Sequence, residues 1–384
     1  MAQWNRVPLI DYIELIGGGT PKTTVPEYWN GNIPWLSVKD FNNDKRYVYS
    51  TEKHISQSGF ENSPTKMLHK DDIIISARGT VGEIAMIPFD MAFNQSCYGI
   101  RASRGIDKPF LYYLLKNCIS QLKRMTHGSV FDTITRDTFA NIEVDIPDAE
   151  TQKRISSVLA DIDNKIEVND AINDNLQQQA AALFSSLYDR SNTEVRFTDL
   201  IQILGGGTPK TGENSYWNGN IAFFTPKDVG TPYTLITEKT ISKEGLSHCN
   251  SRLYPVNTVF VTARGTVGKV GMSGVPMAMN QSCYALVGKE THQLLVYFYT
   301  LKAVDRLKHK ASGAVFDAIT TRDFESEQIM KLSDDDATAF LRVAEPMFQE
   351  VLNNNIENLR LSTLRDSLLP KLMSGEIDVS AVLL

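Results

Sequence analysis

The chain has 384 residues, of which 42% are hydrophobic and 22% charged, and a formal net charge of −6. These proportions are those of an ordinary globular protein of two or three domains, and no stretch approaches the roughly 20 apolar residues of a membrane span. Four cysteines give neither a disulfide framework nor a zinc spacing, and the first residues lack the basic-then-apolar order of a signal peptide, which predicts a reduced, cytoplasmic protein.

Residues 1–147 read as an α+β domain. It opens with GGGTPKTTVPEYWNGNI at residues 17–33. A phosphate-binding Walker loop requires glycine directly before its lysine, and Pro21 stands there instead. Two readings remain: a tight turn, or a loop whose amides and Lys22 meet a DNA phosphate. Trp29 beside Asn-Gly turn chemistry reads as a packing anchor rather than a base-stacking platform. Lys39 precedes Asp40, and Ile73-Ile74-Ile75 is a strand run. ARGTVG at residues 77–82 then makes a hairpin tip carrying Arg78 and Thr80. A guanidinium fork there suits guanine or phosphate, and equally an internal salt bridge. Asn94 and Gln95 in NQSCY match adenine-reading side chains, or else satisfy buried backbone groups. An amphipathic helix near residues 108–125 ends in Lys123 and Arg124 before a glycine. Ser129, VFDTIT and Arg136 follow as a polar-tipped loop.

Residues 148–190 predict one long helix. Ile155, Leu159, Ile162, Ile166, Ile172, Leu176, Leu183 and Leu187 fall at three- or four-residue steps or sums of them, with no proline or glycine between. Asp148, after Pro147, supplies capping chemistry. Residues 191–332 then repeat the first domain at an offset drifting only from 188 to 185. Lys210, Lys227, Arg264, Thr266, Asn280, Gln281, Lys308 and Arg322 stand where the first copy has Lys22, Lys39, Arg78, Thr80, Asn94, Gln95, Lys123 and Arg136, with Lys310 adding a second cation at the helix end. The TTRD of the second copy sets its arginine one residue later than the TRD of the first. A repeat this long is a whole domain plus its connector, not a solenoid unit. Residues 333–384 predict a second long helix, with Phe340, Val343, Met347, Val351, Leu361, Leu364, Leu368 and Leu372 in a row and Ser374-Gly375 ending it. Neither helix buries its stripe alone, so the two are expected to pair as an antiparallel coiled coil, with Asn169 and Asn354 fixing register in the seam. The alternative is that each packs separately on its own domain.

Charge is unevenly distributed. Residues 1–147 carry 16 basic and 16 acidic side chains and residues 191–332 carry 15 and 12, whereas the two helical segments carry 4 against 8 and 4 against 9. The acidity therefore sits in the connectors and leaves the repeated domains neutral to mildly basic; for phosphate binding a local basic face matters more than the sum over the chain. For chemistry the sequence offers no NPPY-like methyltransferase tetrapeptide, no glycine-rich cofactor loop after a strand, no helicase or nuclease signature and no histidine metal spacing. No catalytic residue, metal or cofactor is expected.

In this order, duplicated, and with both helical segments, the chain resembles the specificity subunit of type I restriction-modification systems. The resemblance is carried by GGGTPK…YWNGNIPWLSVKDF, by ETQKRISSVLADIDNKIEVNDAINDNLQQQAAALFSSLY and by LRDSLLPKLMSGEI. It implies two target recognition domains on a paired helical spacer, related by a pseudo-two-fold axis, each reading half of a split double-stranded DNA target. It also implies two methyltransferase subunits docked on the helices and translocase-nuclease subunits further out, with methylation and cleavage left to those partners. The competing expectation is a DNA-binding regulator or adaptor independent of restriction.

Overall fold

The computed structural model describes residues 4–126, 133–230, 232–310 and 318–380. The mixed α+β chain forms two compact units, one of Met1–Glu167 with Arg360–Leu384 and one of Val168–Leu359.

In the first unit a four-stranded antiparallel sheet runs in the order Ile13–Gly17, Cys97–Ala102, Ile73–Ser76, Ile84–Met86. Every residue of Ile73–Ser76 is buried because both faces of the strand are covered. Ile73 and Ile75 enter a core with Phe110, Leu111, Leu114 and Leu115 of the helix Lys108–Thr126. Ile74 enters a second core with Leu36, Phe41, Met91 and Phe93. Two-sided burial is what turns an antiparallel strand into a continuous apolar run. The second core is walled by a smaller sheet in the order Lys53–Ile55, Trp29–Leu36, Met91–Phe93, Met67–Leu68, whose middle pair is parallel. The Lys108–Thr126 helix is capped by Asp107, whose carboxylate accepts the Phe110 N–H at 2.9 Å.

The second unit rebuilds this plan with different residues. Val259 and Val261 of the strand Val259–Thr262 face a core shared with the helix Gln293–Lys310, while Phe260 faces Phe224, Tyr254, Met277 and Met279. Its larger sheet runs Ile201–Gly205, Cys283–Gly288, Val259–Thr262, Val270–Ser273, Tyr233–Thr234.

The two long helices span Ala149–Asp189 and Asp334–Met373. Asp148 caps the first, accepting the Thr151 N–H at 2.9 Å. Ser333 caps the second, accepting the Asp336 N–H at 3.1 Å, and three aspartates in the first turn complement the helix dipole. Pro346 sits inside the second helix, on its exposed side, and the helix runs through it. Within the second unit the helices are antiparallel: Asn169 donates to Asn358 at 2.8 Å, and Asn354 donates to Asn173 at 2.9 Å. Both Asn169 and Asn354 are buried, as register-fixing seam residues should be. The apolar rows are not followed throughout. Ile172, Val343 and Leu364 are exposed, and Asp163, Asn173, Ala344, Phe348, Arg365 and Leu369 are buried instead. The cause is that each helix packs partly on a globular core, so its buried stripe follows that core. Ile155, Leu159, Leu369 and Leu372 join the core of the first unit, and Ala180, Phe184, Phe340 and Phe348 that of the second.

Candidate nucleic-acid interface

Motifs far apart in the sequence meet at one place in each unit. In the first, the backbone N–H groups of Ala77 and Arg78 donate to the Ser96 carbonyl at 2.8 and 3.2 Å, which joins the ARGTVG tip to the NQSCY turn. Ile134 N–H donates to the Ala77 carbonyl at 3.0 Å, bringing the end of VFDTIT to the same tip. Thr20 of the glycine loop hydrogen-bonds Gln95. The second unit uses the equivalent contacts: Ala263 and Arg264 to Ser282 at 2.8 and 3.2 Å, Ile319 to Ala263 at 2.9 Å, and Thr208 to Gln281.

The glycine loop is a packing turn. A Cβ on Gly18 would lie 2.1 Å from the Asn94 carbonyl oxygen, and one on Gly206 would lie 2.2 Å from that of Asn280, so only glycine lets these backbones approach. The indole N–H of Trp35 donates to the Gly19 carbonyl at 3.0 Å. Trp29 and Trp217 are anchors, donating to the carbonyls of Lys22 and Lys210 at 3.2 and 3.1 Å and packing edge-on against Trp35 and Phe223. Those contacts leave the side chains of Lys22 and Lys210 exposed at the loop.

The hairpin tip holds its arginine outward. Gly79 and Gly82 adopt φ of +78° and +87°, and Gly265 and Gly268 adopt +82° and +73°, turns open only to glycine without strain. Arg78 and Arg264 are exposed, and among the described residues neither guanidinium makes an ion pair. Lys39, Lys53, Arg78, Thr80 and Asn94 line one groove of about 460 Å³ in the first unit. Lys123 and Lys308 lie across Gly82 and Gly268, their Cε atoms 2.5 and 2.6 Å from where a Cβ would stand.

Other expected contacts are engaged within the fold. The side-chain amide oxygens of Asn94 and Asn280 accept the Ser96 and Ser282 N–H groups at 3.1 and 3.0 Å, shaping the turn. Arg124 donates to the Ser120 carbonyl at 3.3 Å, and Arg136 to that of Leu15 at 3.1 Å. Thr266 donates to the Pro226 carbonyl at 3.3 Å. Lys227 pairs with Glu238 at 3.6 Å, and Lys310 pairs with the fully buried Glu327. Arg322 is exposed on the helix Thr321–Ser326, and Ser129 lies outside the described residues.

Sequence reasoning missed Lys53 and Lys239. Their ammonium groups stand over the rings of Trp29 and Trp217 at 5.7 and 5.6 Å. The signal was present in the sequence: TEKHIS at residues 51–56 returns as TEKTIS at residues 237–242. The cysteines of NQSCY are buried thiols rather than nucleophiles. Burial, with a nearby aspartate adding to it, pushes both Cys97 and Cys283 up to about 12. Among the described residues no helix is long and apolar enough to cross a membrane.

A family model described as "Type I restriction modification DNA specificity domain" matches residues 1–178 and again residues 190–331. The chain is 24% identical to the type I restriction enzyme MjaIX specificity subunit of Methanocaldococcus jannaschii, over 98% of this chain and 94% of that protein. It is 25% identical to the type I restriction enzyme HindI specificity subunit of Haemophilus influenzae, over 70% of this chain and 77% of that protein. Its fold is similar to the crystal structure of a type I restriction-modification S subunit from M. genitalium, with a TM-score of 0.59 at 14% identity, covering 97% and 96% of the two chains.

Proposed function

The chain belongs to the type I restriction modification DNA specificity family, and from that premise we propose that it is the sequence-specific DNA-recognition subunit of a type I restriction-modification complex. Each repeat reads one half of a bipartite double-stranded target, residues 1–147 one half and residues 191–332 the other. The segments 148–190 and 333–384 set the gap and receive two methyltransferase subunits, and the translocase-nuclease subunits join further out. Adenine methylation and cleavage belong to the partners. The observation that carries this reading is the duplicated outward arginine, Arg78 and Arg264, each held by the same backbone contacts beside the same amide turn.

In this reading Arg78 and Arg264 reach base edges, and Lys22, Lys210, Lys123 and Lys308 reach phosphate. Loss of one phosphate contact weakens binding to every sequence alike through counterion release. Lys22→Ala is therefore expected to lower the salt slope of DNA binding by about one while leaving the preferred sequence unchanged. An altered preference with an unchanged slope would move Lys22 from phosphate to base. The function itself is tested by activity. The purified chain alone is expected neither to methylate DNA nor to hydrolyse ATP, and with methyltransferase partners to direct adenine methylation to one bipartite site. Methyl transfer by the chain alone, or binding with no effect on any methyltransferase, would overturn the proposal; the latter outcome points to a regulator or adaptor.

A further inference from the structure

We propose that Asn42 reads one adenine, in the half-site of the first repeat only; the assignment rests on the recognition role above. The groove that holds Arg78 also holds Lys39, Lys53, Thr80, Asn94 and Ser96. Each of these has an identical counterpart in the second repeat: Lys227, Lys239, Arg264, Thr266, Asn280 and Ser282. A shared set of side chains cannot make two repeats prefer different bases. A difference must come from groove positions where the repeats diverge.

Asn42 lines the same groove and has no polar counterpart; Trp35 also gives way, to Phe223, but its indole N–H is engaged by the Gly19 carbonyl. Tyr47 bridges to Met86 and Tyr233 pairs with Met272, which fixes the alignment around this segment. Between Asp40 and Tyr47 the first repeat has Phe41 and then NNDKR, whereas between Asp228 and Tyr233 the second has Val229 and then GTP. Gly230 follows Asp228 as Asn42 follows Asp40, by two residues, and a Cβ there would lie 2.2 Å from the Tyr233 carbonyl oxygen. The second repeat therefore has no room for a side chain at this point.

The rest of the NNDKR segment is committed to the fold. Asn43 accepts the Lys45 N–H at 3.1 Å, Asp44 pairs with Lys116 and Arg365 at 2.7 and 2.8 Å, and Arg46 donates to Asn164. Asn42 is exposed, and among the described residues its amide has no hydrogen-bond partner. A free carboxamide beside an arginine fork has the paired donor and acceptor that match adenine N7 and N6 in the major groove.

The test uses the full chain with its methyltransferase partners and a map of methylated adenines. For Asn42→Ala, discrimination at one position of one half-site should fall by roughly ten- to a hundred-fold, with the other half-site and the salt slope unchanged. Asn42→Asp removes the donor and should shift preference at that same position toward cytosine, whose amino group a carboxylate accepts. A bipartite motif untouched by both variants, or a uniform loss across both halves, overturns the assignment while leaving the function standing. A wild-type chain that directs no bipartite methylation overturns both.

Discussion

Arg365→Ala is expected to destabilise the first unit by about 3–5 kcal/mol, the range for removing one partner of a buried ion pair. The Arg365 side chain is 3% exposed and donates to Asp163, 5% exposed, at 2.9 Å. Its other groups reach Asp44 at 2.8 Å and Asp366 at 2.9 Å. Tyr113 completes the cluster, donating to Asp163 at 2.6 Å. Alanine would leave the Asp163 carboxylate buried with the tyrosine alone. At the repeat offset of 185 the second unit places Phe348, Ala180 and Phe298 where the first has Asp163, Arg365 and Tyr113, and all three are buried. The triple change Asp163→Phe, Arg365→Ala and Tyr113→Phe copies that apolar solution and is expected to lose far less than Arg365→Ala, because no charge is stranded. Urea denaturation with local hydrogen exchange measures both. Equal losses in the two variants would mean that packing, not charge, holds this seam. The cluster also sets a pH dependence. Burial raises the Asp44 carboxyl, but Lys116 and Arg365 more than reverse this and hold it below the usual carboxylate range. A carboxyl held low in the fold stabilises above its unfolded value and loses that contribution as pH falls through the folded one. Exchange protection around Asp44 and Arg365 should therefore fade on acidification before that around Ala180 and Phe348.

Lengthening the helical pair is expected to lengthen the gap in the target. Four added residues extend a helix by about 6 Å, close to two base pairs at roughly 3.4 Å each. The antiparallel register of Asn169 with Asn358 and Asn173 with Asn354 has a consequence for the design. An insertion in one helix alone would slide these amides past each other, so matched insertions are needed after Gln178 and after Gln349. Both half-sites should then be kept while their separation grows by one or two base pairs. Four residues also exceed a whole turn by about 40°, so weaker binding is expected together with the new spacing. A methylome with unchanged spacing would show that partner subunits, not the helices, set the gap.

The duplication was legible in the sequence because its motifs return in the same order. Apolar residues at three- and four-residue steps, or sums of them, located the long helices to within a few residues, whereas the compact units, Met1–Glu167 with Arg360–Leu384 and Val168–Leu359, each take in part of both helices. What the periodicity could not tell was which face each helix turns inward. Ile172 and Leu364 fit the pattern yet are exposed, and Asp163 and Arg365 are charged yet buried. Charge in a seam becomes readable only when its partner, some 200 residues away, is known. The site divided in the same way. Short motifs identified Arg78 and Arg264, and the structure leaves them without internal carboxylates among the described residues. Arg136 and Lys310 look equally basic in sequence, yet they are spent on the Leu15 carbonyl and on buried Glu327. Lys53 was legible as well, since TEKHIS returns as TEKTIS, but only the structure shows its ammonium over the Trp29 ring.

In the proposed recognition role each repeat reads its own half of a split target. Methylomes of Arg78→Ala and Arg264→Ala, each in the full chain with methyltransferase partners, test it most directly. Loss of a guanidinium–base contact should cost about 1–3 kcal/mol of discrimination at one position. The prediction is that Arg78→Ala relaxes one half-site and leaves the other intact, and that Arg264→Ala does the reverse. Relaxation of the same half-site by both variants, or of neither, would mean that the repeats do not divide the target between them.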